Sequence, residues 1–312
     1  MSKPTILLVD DEERILRSLR MLFFSGYNVR MTTDANEAIQ ILRDERIHVI
    51  VSDQRMPIML GAELLRIARE TSPATMRILL TGYSDLEASI ACVNEGEVYR
   101  YLMKPWDAED VRRTVAEAAA IAEASFNLQQ SQALAATAPA PAPARKVRVL
   151  VMDNDESTAV TVKEVLQDRA EVIWAADMQH AMEILAQQDI AIVVTDLMME
   201  GKNISYVLKT IKQYNPKTQS IVVTSFNDTS HLIDLINQAQ IARYLPKPLR
   251  KNILARNLEY LIERFHSLCQ LPALQHRQSV APINDAEEKV KSGGLMDMLN
   301  RLRARKTAEQ RP

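Results

Sequence analysis

The residues able to do chemistry stand where short apolar runs end. Asp10 and Asp11 follow Ile6-Leu-Leu-Val9, Asp53 follows Val49-Ile-Val-Ser52, Thr81 follows Ile78-Leu-Leu80, and Lys104 follows Tyr101-Leu-Met103. Three carboxylates in one place repel each other unless a cation neutralises them, and hard oxygen donors select Mg2+ or Ca2+. A lysine ammonium can pair with a carboxylate or hold a phosphoryl oxygen, and a threonine hydroxyl can donate one hydrogen bond. Together these parts suit in-line transfer of a phosphoryl group to a carboxylate nucleophile. Any single one of these residues is as readily a helix cap or a loop residue. Five together, four of them recurring at constant spacing elsewhere in the chain, are not explained as caps.

The recurrence is an internal repeat. An offset of 143 aligns the halves without a gap from residue 7 to residue 105. It pairs Asp10 with Asp153, Asp34 with Asp177, Asp53 with Asp196, Thr81 with Thr224, Arg100 with Arg243, Tyr101 with Tyr244, and Lys104-Pro105 with Lys247-Pro248. That period is far longer than a solenoid unit, so it marks a duplicated domain. Between the copies, alternating proline in Ala138-Pro-Ala-Pro-Ala-Pro-Ala144 favours an extended spacer. The expected organisation is domain one over 1–136, a linker over 137–145, domain two over 146–271 and a polar tail over 272–312.

Positioning the polar residues requires alternating elements. In the first copy, apolar runs at 5–9, 28–32, 48–52, 77–80 and 98–102 read as strands, with amphipathic segments near 13–25, 35–44, 61–70 and 85–94 and a long one from Asp107. Strict alternation implies an α/β fold, a five-stranded parallel sheet with helices on both faces, twice over. Sites on such sheets gather at the carboxyl ends of strands.

Composition narrows the chemistry. A 47% hydrophobic content, 25% charged residues and a net charge of −2 offer no bulk basicity for nucleic acid or an anionic membrane. None of the seven glycines is spaced as a dinucleotide turn or a phosphate loop, so phosphate would have to be met by side chains and metal. The two distant cysteines, Cys92 and Cys269, exclude a disulfide framework and suggest a reducing compartment. With no signal-peptide core and no apolar run long enough for a membrane span, the expected location is cytoplasmic.

The phrases Leu-Leu-Val-Asp10-Asp11-Glu, Val-Ser-Asp53-Gln-Arg-Met-Pro57, Leu-Leu-Thr81-Gly82-Tyr and Tyr101-Leu-Met-Lys104-Pro105 resemble response regulator receiver domains of two-component signalling. The resemblance covers both copies and implies two tandem flavodoxin-like (βα)5 domains. It makes Asp53 the phosphoacceptor, with Mg2+ or Mn2+ held by Asp10, Asp11, Asp53 and the backbone carbonyl of Arg55. Lys104 would contact the phosphoryl group, Thr81 would turn toward it and Tyr101 would change rotamer. Gly82 would leave room beside the phosphoryl group, and the Lys104-Pro105 bond would be cis. A histidine kinase is the implied donor.

The second copy retains Asp153, Asp196, Thr224, the small Ser225, Tyr244, Lys247 and Pro248, and the same resemblance gives Asp196 and the backbone carbonyl of Met198 the roles of Asp53 and Arg55. The metal ligands of this copy would be Asp153, Asn154, Asp196 and the Met198 carbonyl; Asn154, in place of Asp11, can still coordinate through its carbonyl oxygen but removes a negative charge and weakens the site. Glu200 stands where Pro57 does and Ile204 where Gly61 does, so the turn after Asp196 should differ. In the family, the residues two after the acceptor and two after the threonine gate the attacking water. Here they are bulky, Arg55 with Tyr83 and Met198 with Phe226, which implies slow self-dephosphorylation.

No His-Asp phosphodiesterase pair, Walker loop or helix-turn-helix region of sufficient length accompanies the copies, so the expected output is a protein partner with no direct nucleic-acid contact. The helix from Asp107 would reach about 45 Å if continuous to residue 136 and offers a face for a partner helix or a homodimer. The tail reads as a polar, unstructured stretch over 284–292 followed by a short basic amphipathic helix from Leu295. The alternatives are a scaffold whose second domain is never phosphorylated, a flavodoxin-like nucleotide binder, and a haloacid dehalogenase-like phosphatase using Asp153 of Asp153-Asn-Asp155. The last leaves the paired Asp53 and Asp196 without a role.

Overall fold

A computed structural model describes residues 3–82, 98–134, 146–225, 232–270, 278, 280–283 and 285–309. The chain divides into two compact units, Met1–Ala138 and Pro139–Pro312.

The first unit runs β1 (Thr5–Val9), α1 (Glu13–Phe23), β2 (Asn28–Thr32), α2 (Ala35–Asp44), β3 (Val49–Asp53), α3 (Gly61–Thr71), β4 (Met76–Thr81), β5 (Arg100–Met103) and α4 (Ala108–Leu134). The helix expected near 85–94 falls outside the described residues. The strands form one parallel sheet in the order β2-β1-β3-β4-β5. Every residue of β3 and β4 is buried, as two-sided cover requires. Ile6, Leu8, Val49, Val51, Ile78 and Leu80 share a core with Leu19, Phe23, Val111 and Val115 of α1 and α4. The alternate residues Leu7, Ile50 and Leu79 are buried on the opposite face of the sheet. At the sheet's other end, far from the strands' carboxyl termini, the buried His48 accepts the Thr5 N–H through Nδ1 (3.0 Å) and its Nε2 lies 2.8 Å from Glu123 of α4. Arg46 pairs with the same carboxylate and lies over the Phe126 ring.

The second unit repeats the plan with β6 (Val147–Met152), α5 (Glu156–Leu166), β7 (Ala170–Ala175), α6 (Met178–Gln187), β8 (Ile192–Thr195), α7 (Ser205–Tyr214), β11 (Gln219–Thr224), α8 (Leu232–Ala239), β12 (Arg243–Pro246) and α9 (Lys251–Gln270). Its sheet order, β7-β6-β8-β11-β12, is the same permutation. Asp34 and Asp177, paired by the offset, cap α2 and α6 by accepting the Asn36 and His180 N–H groups. Thr75 and Thr218 each bond the carbonyl that precedes the next strand inward, Ile47 and Ile190.

Two features separate the units. A short hairpin, β9 (Met198–Met199) with β10 (Lys202–Asn203), follows Asp196, and its turn residues Glu200 and Gly201 have φ of 52° and 72°. Positive φ at both central positions is the geometry of a two-residue hairpin turn. The tail also departs from expectation over 286–292, read as unstructured, while the helix expected from Leu295 is present. It forms one continuous helix, α10 (Ala286–Glu309), lying against α6 and α7. The physical reason is that its polar first half finds polar partners. Asp285 caps the helix through the Glu288 N–H (2.7 Å), and Glu288 takes Ser205 Oγ (2.6 Å) and the buried Lys209 ammonium. Ser292 meets Thr210 at 2.7 Å, and Leu299 is fully buried.

Candidate functional site

β1 and β3 are adjacent, and their carboxyl ends flank the point where the strand order reverses, which is where an open α/β sheet leaves a crevice. Asp10 and Asp53 stand there, both buried. Lys104, just past β5, reaches across: its Nζ is 3.0 Å from Asp10 Oδ2 and 2.5 Å from Asp53 Oδ1. The remaining oxygens accept backbone donors, Glu12 N–H on Asp10 Oδ1 (2.9 Å) and Arg55 N–H on Asp53 Oδ2 (2.7 Å). The lysine joins the backbone here through Lys104-Pro105, which is cis, as is Lys247-Pro248.

Burial dominates the electrostatics of Asp10. It pushes this carboxyl above the usual range, against the Glu12 N–H and Lys104, which pull it down. Burial also works against the Lys104 ammonium, but its bonds to Asp53 and Asp10 outweigh that and hold it above the ordinary lysine value. Asp11 is exposed and is not drawn into the Asp10–Lys104–Asp53 group. Among the described residues, no three Asp, Glu, His or Cys side chains converge as a metal cluster. Thr81 is fully buried at the end of β4, with its hydroxyl on the Gly82 carbonyl (3.3 Å), and Tyr101, opposite Leu79 on β5, is buried too. Arg55 is exposed; Tyr83 lies outside the described residues.

Gly61, first residue of α3, is a part that sequence reasoning valued only as a turn residue. A Cβ there would lie 1.9 Å from the carbonyl oxygen of Asp53 and 2.9 Å from Ser52 Oγ. Its N–H bonds the Gln54 carbonyl (3.0 Å), so α3 begins in backbone contact with the strand end that carries Asp53.

In the second unit Lys247 bridges Asp153 (2.9 Å) and Asp196 (2.8 Å) in the same way. Asp196 also accepts Met198 N–H (3.1 Å) and Thr224; burial alone would raise its carboxyl, but Lys247 and these donors together bring it below the usual range. Tyr244 is buried, Met198 and Ser225 are exposed, and Phe226 lies outside the described residues. Asn154 is turned to other work: its Nδ2 donates to the Ala176 carbonyl (3.1 Å) and its Oδ1 accepts the Glu200 N–H (2.8 Å). Thr158, not anticipated from sequence, donates to Asp153 Oδ2 at 2.7 Å. The signal for it was the offset, which places it opposite apolar Ile15. Trp174 Nε1 donates to the Asp153 carbonyl (2.9 Å), and in the first unit the Trp106 ring lies 5.9 Å from the Lys104 ammonium.

Comparison with known proteins agrees with this geometry. Among curated relatives, the hydrogenase transcriptional regulatory protein HoxA of Bradyrhizobium diazoefficiens is 38% identical over 117 residues, covering 38% of this chain and 24% of that protein. The DNA-binding transcriptional regulator NtrC of Proteus hauseri is 34% identical over 119 residues, covering 38% of this chain and 25% of that protein. For FixJ of Rhizobium meliloti the figures are 34% over 108 residues, 34% of this chain and 52% of that protein. The chain thus spans between a quarter and about half of these relatives. Among solved structures, the signal receiver domain of an HD domain-containing protein from Pseudomonas fluorescens Pf-5 is 36% identical, covering 41% of this chain and 94% of that one, with a TM-score of 0.39. A CheY-like receiver domain protein from Methanospirillum hungatei JF-1 is 33% identical, covering 39% and 98%, with a TM-score of 0.38. The family model "Response regulator receiver domain" matches residues 6–116 and again 149–259, well over half of the chain. Two bridged aspartate pairs at equivalent strand ends, on two sheets of one topology, therefore belong to a member of the response regulator receiver family that carries the domain in tandem.

Proposed function

We propose that the chain is a phosphorelay signalling protein whose first unit accepts a phosphoryl group on Asp53 from a histidine kinase and reports it by protein contact. The observation that carries this is the ammonium of Lys104 held between buried Asp10 and Asp53. That ammonium would steady a phosphoryl oxygen once Asp53 carries an acyl phosphate. In the transfer, an Asp53 carboxylate oxygen forms a bond to phosphorus while the P–N bond of a phosphohistidine breaks and its electron pair returns to the imidazole. The Arg55 N–H orients the Asp53 carboxylate through its second oxygen.

The residues of this unit suit a divalent cation. Asp10 is a buried carboxylate destabilised by burial, Asp11 is exposed beside it, and three carboxylates against one ammonium leave a surplus negative charge. Asp10, Asp11, Asp53 and the Arg55 carbonyl would hold Mg2+ or Mn2+, which would supply charge stabilisation for the transferring group. Thr81 and Tyr101 are the proposed reporters of the modified state, and a protein with a surface matched to that state is the downstream partner.

For the second unit, two readings stand: Asp196 as a second acceptor, or a domain kept for contact. Treating the full chain with acetyl phosphate and Mg2+ and measuring intact mass separates them. The Asp53→Ala variant should lose the main phosphoryl adduct, and Asp196→Ala should retain it. An adduct unaffected by Asp53→Ala would refute the assignment. After removal of donor, the adduct should persist for minutes or longer, as the bulky Arg55 and Tyr83 positions imply.

A further inference from the structure

The two acid pockets balance their charge differently. In the first unit Lys104 pairs with Asp10 and Asp53, and the exposed Asp11 next to Asp10 adds a third carboxylate, so two negative charges remain for one divalent cation to cancel. In the second, Asp153 and Asp196 face Lys247 and leave one, so the same cation would overshoot. Donors that the first unit lacks fill the difference. Thr158 places a hydroxyl on Asp153 Oδ2, the oxygen that also takes Lys247, where Ile15 offers nothing polar. Asp153 Oδ1 takes the Asp155 N–H at 2.9 Å just as Asp10 Oδ1 takes the Glu12 N–H, so the Thr158 hydroxyl is the added donor on this carboxylate. Asn154 supplies a neutral amide in place of a carboxylate, and both of its ends are committed. One holds the Ala176 carbonyl after β7; the other holds the Glu200 N–H at the tip of the β9–β10 hairpin. Enlisting Asn154 as a metal ligand would set the cation in competition with the Glu200 N–H for the same oxygen. Mg2+ dehydrates reluctantly and favours carboxylate ligands, so this donor set does not suit it.

We infer that the second receiver is held together without a divalent cation: Asn154 and Thr158 provide by hydrogen bonding the loop anchoring and charge compensation that the cation provides in the first. The hairpin after Asp196 is then fixed whether or not metal is present, and the second unit keeps a constant surface while the first switches. The inference rests on reading the first unit as a cation site, and the test separates the two.

The chain contains two tryptophans, Trp106 and Trp174, one beside each pocket. In the intact protein labelled with 15N-tryptophan, each gives one indole N–H signal, assigned with Trp106→Phe. Titration with Mn2+, a paramagnetic stand-in for Mg2+, should broaden the Trp106 signal first. Trp174 should need a concentration at least about tenfold higher, as expected when a carboxylate ligand is replaced by an amide. Installing the first unit's residues, Asn154→Asp with Thr158→Ile, should bring Trp174 into the same concentration range. Equal broadening of both signals in the unaltered chain would overturn the inference. So would a Trp174 signal that stays insensitive in the double variant, provided the spectrum shows it folded; single Asn154→Asp serves if it is not. A Trp106 signal that never broadens would instead refute the cation reading of the first unit and remove the contrast with it.

Discussion

At the scale of single residues, the strand ends are crowded by design of the backbone rather than by large side chains. Gly61 shows this most directly, because the space its Cβ would need is taken by the Asp53 carbonyl. Gly61→Ala should push α3 off β3 and destabilise the first unit by roughly 1–3 kcal/mol, the usual range for overpacking. Thermal denaturation monitored at Trp106 in a Trp174→Phe background would show it; an unchanged midpoint would mean that α3 accommodates the methyl group by shifting. Asp10, Asp53 and Lys104 were legible in sequence because a charged group at the end of an apolar run has few roles, and the 143-residue offset repeats all three. Thr158 and the Asn154 clamp were not, because a hydroxyl within a helical pattern and an amide in a loop are ordinary until the partner atoms are seen. Arg100 and Arg243 were also opaque. Each is buried and lies over an aromatic ring, Tyr99 at 4.1 Å and Tyr260 at 4.5 Å, so their recurrence reflects packing.

At the scale of elements, strands and short helices followed from periodicity, and the first unit's strands lie within two residues of expectation. The tail did not, since α10 lacks a continuous apolar stripe and carries Gly293-Gly294 in its middle with no close neighbour to require them. Its order comes from polar partners on α7, which no one-dimensional pattern contains. The approach to this helix covers Lys212, which is fully buried with its ammonium on the Thr218 carbonyl (3.1 Å) and Gln278 Oε1 (2.7 Å). Burial, with the nearby charge of Arg264, holds Lys212 well below the ordinary lysine value. Between that depressed value and the ordinary one, the unfolded chain binds more protons than the folded one, so this residue makes stability rise with pH. Lys212→Met should flatten that rise. Urea denaturation of the full chain and the variant at several pH values from neutral to about 10 would check it, and parallel curves would exclude the effect.

At the scale of the whole molecule, duplication has kept the sheet order, the capping aspartates and the buried threonines, while the loops after the acceptor position diverged. Each unit closes its own apolar core, one on α1 and α4 and the other on α5 and α9. Fragments 1–138 and 146–312 should therefore each fold, and each should melt in a single cooperative transition measured by circular dichroism. A fragment that stays unfolded would show that its core is incomplete alone.

The long helix α4 has a mechanical consequence. It starts four residues after Lys104 and spans 27 residues, a rod of about 40 Å. His48 and Arg46 grip it at Glu123, past its midpoint and at the end of the sheet remote from the acid pocket. Between the pocket and that grip, Val111, Val115, Ala118 and Ala122 bed the same helix in the core. α4 is thus moored at intervals along most of its length, a beam fixed to the sheet and not a hinged one.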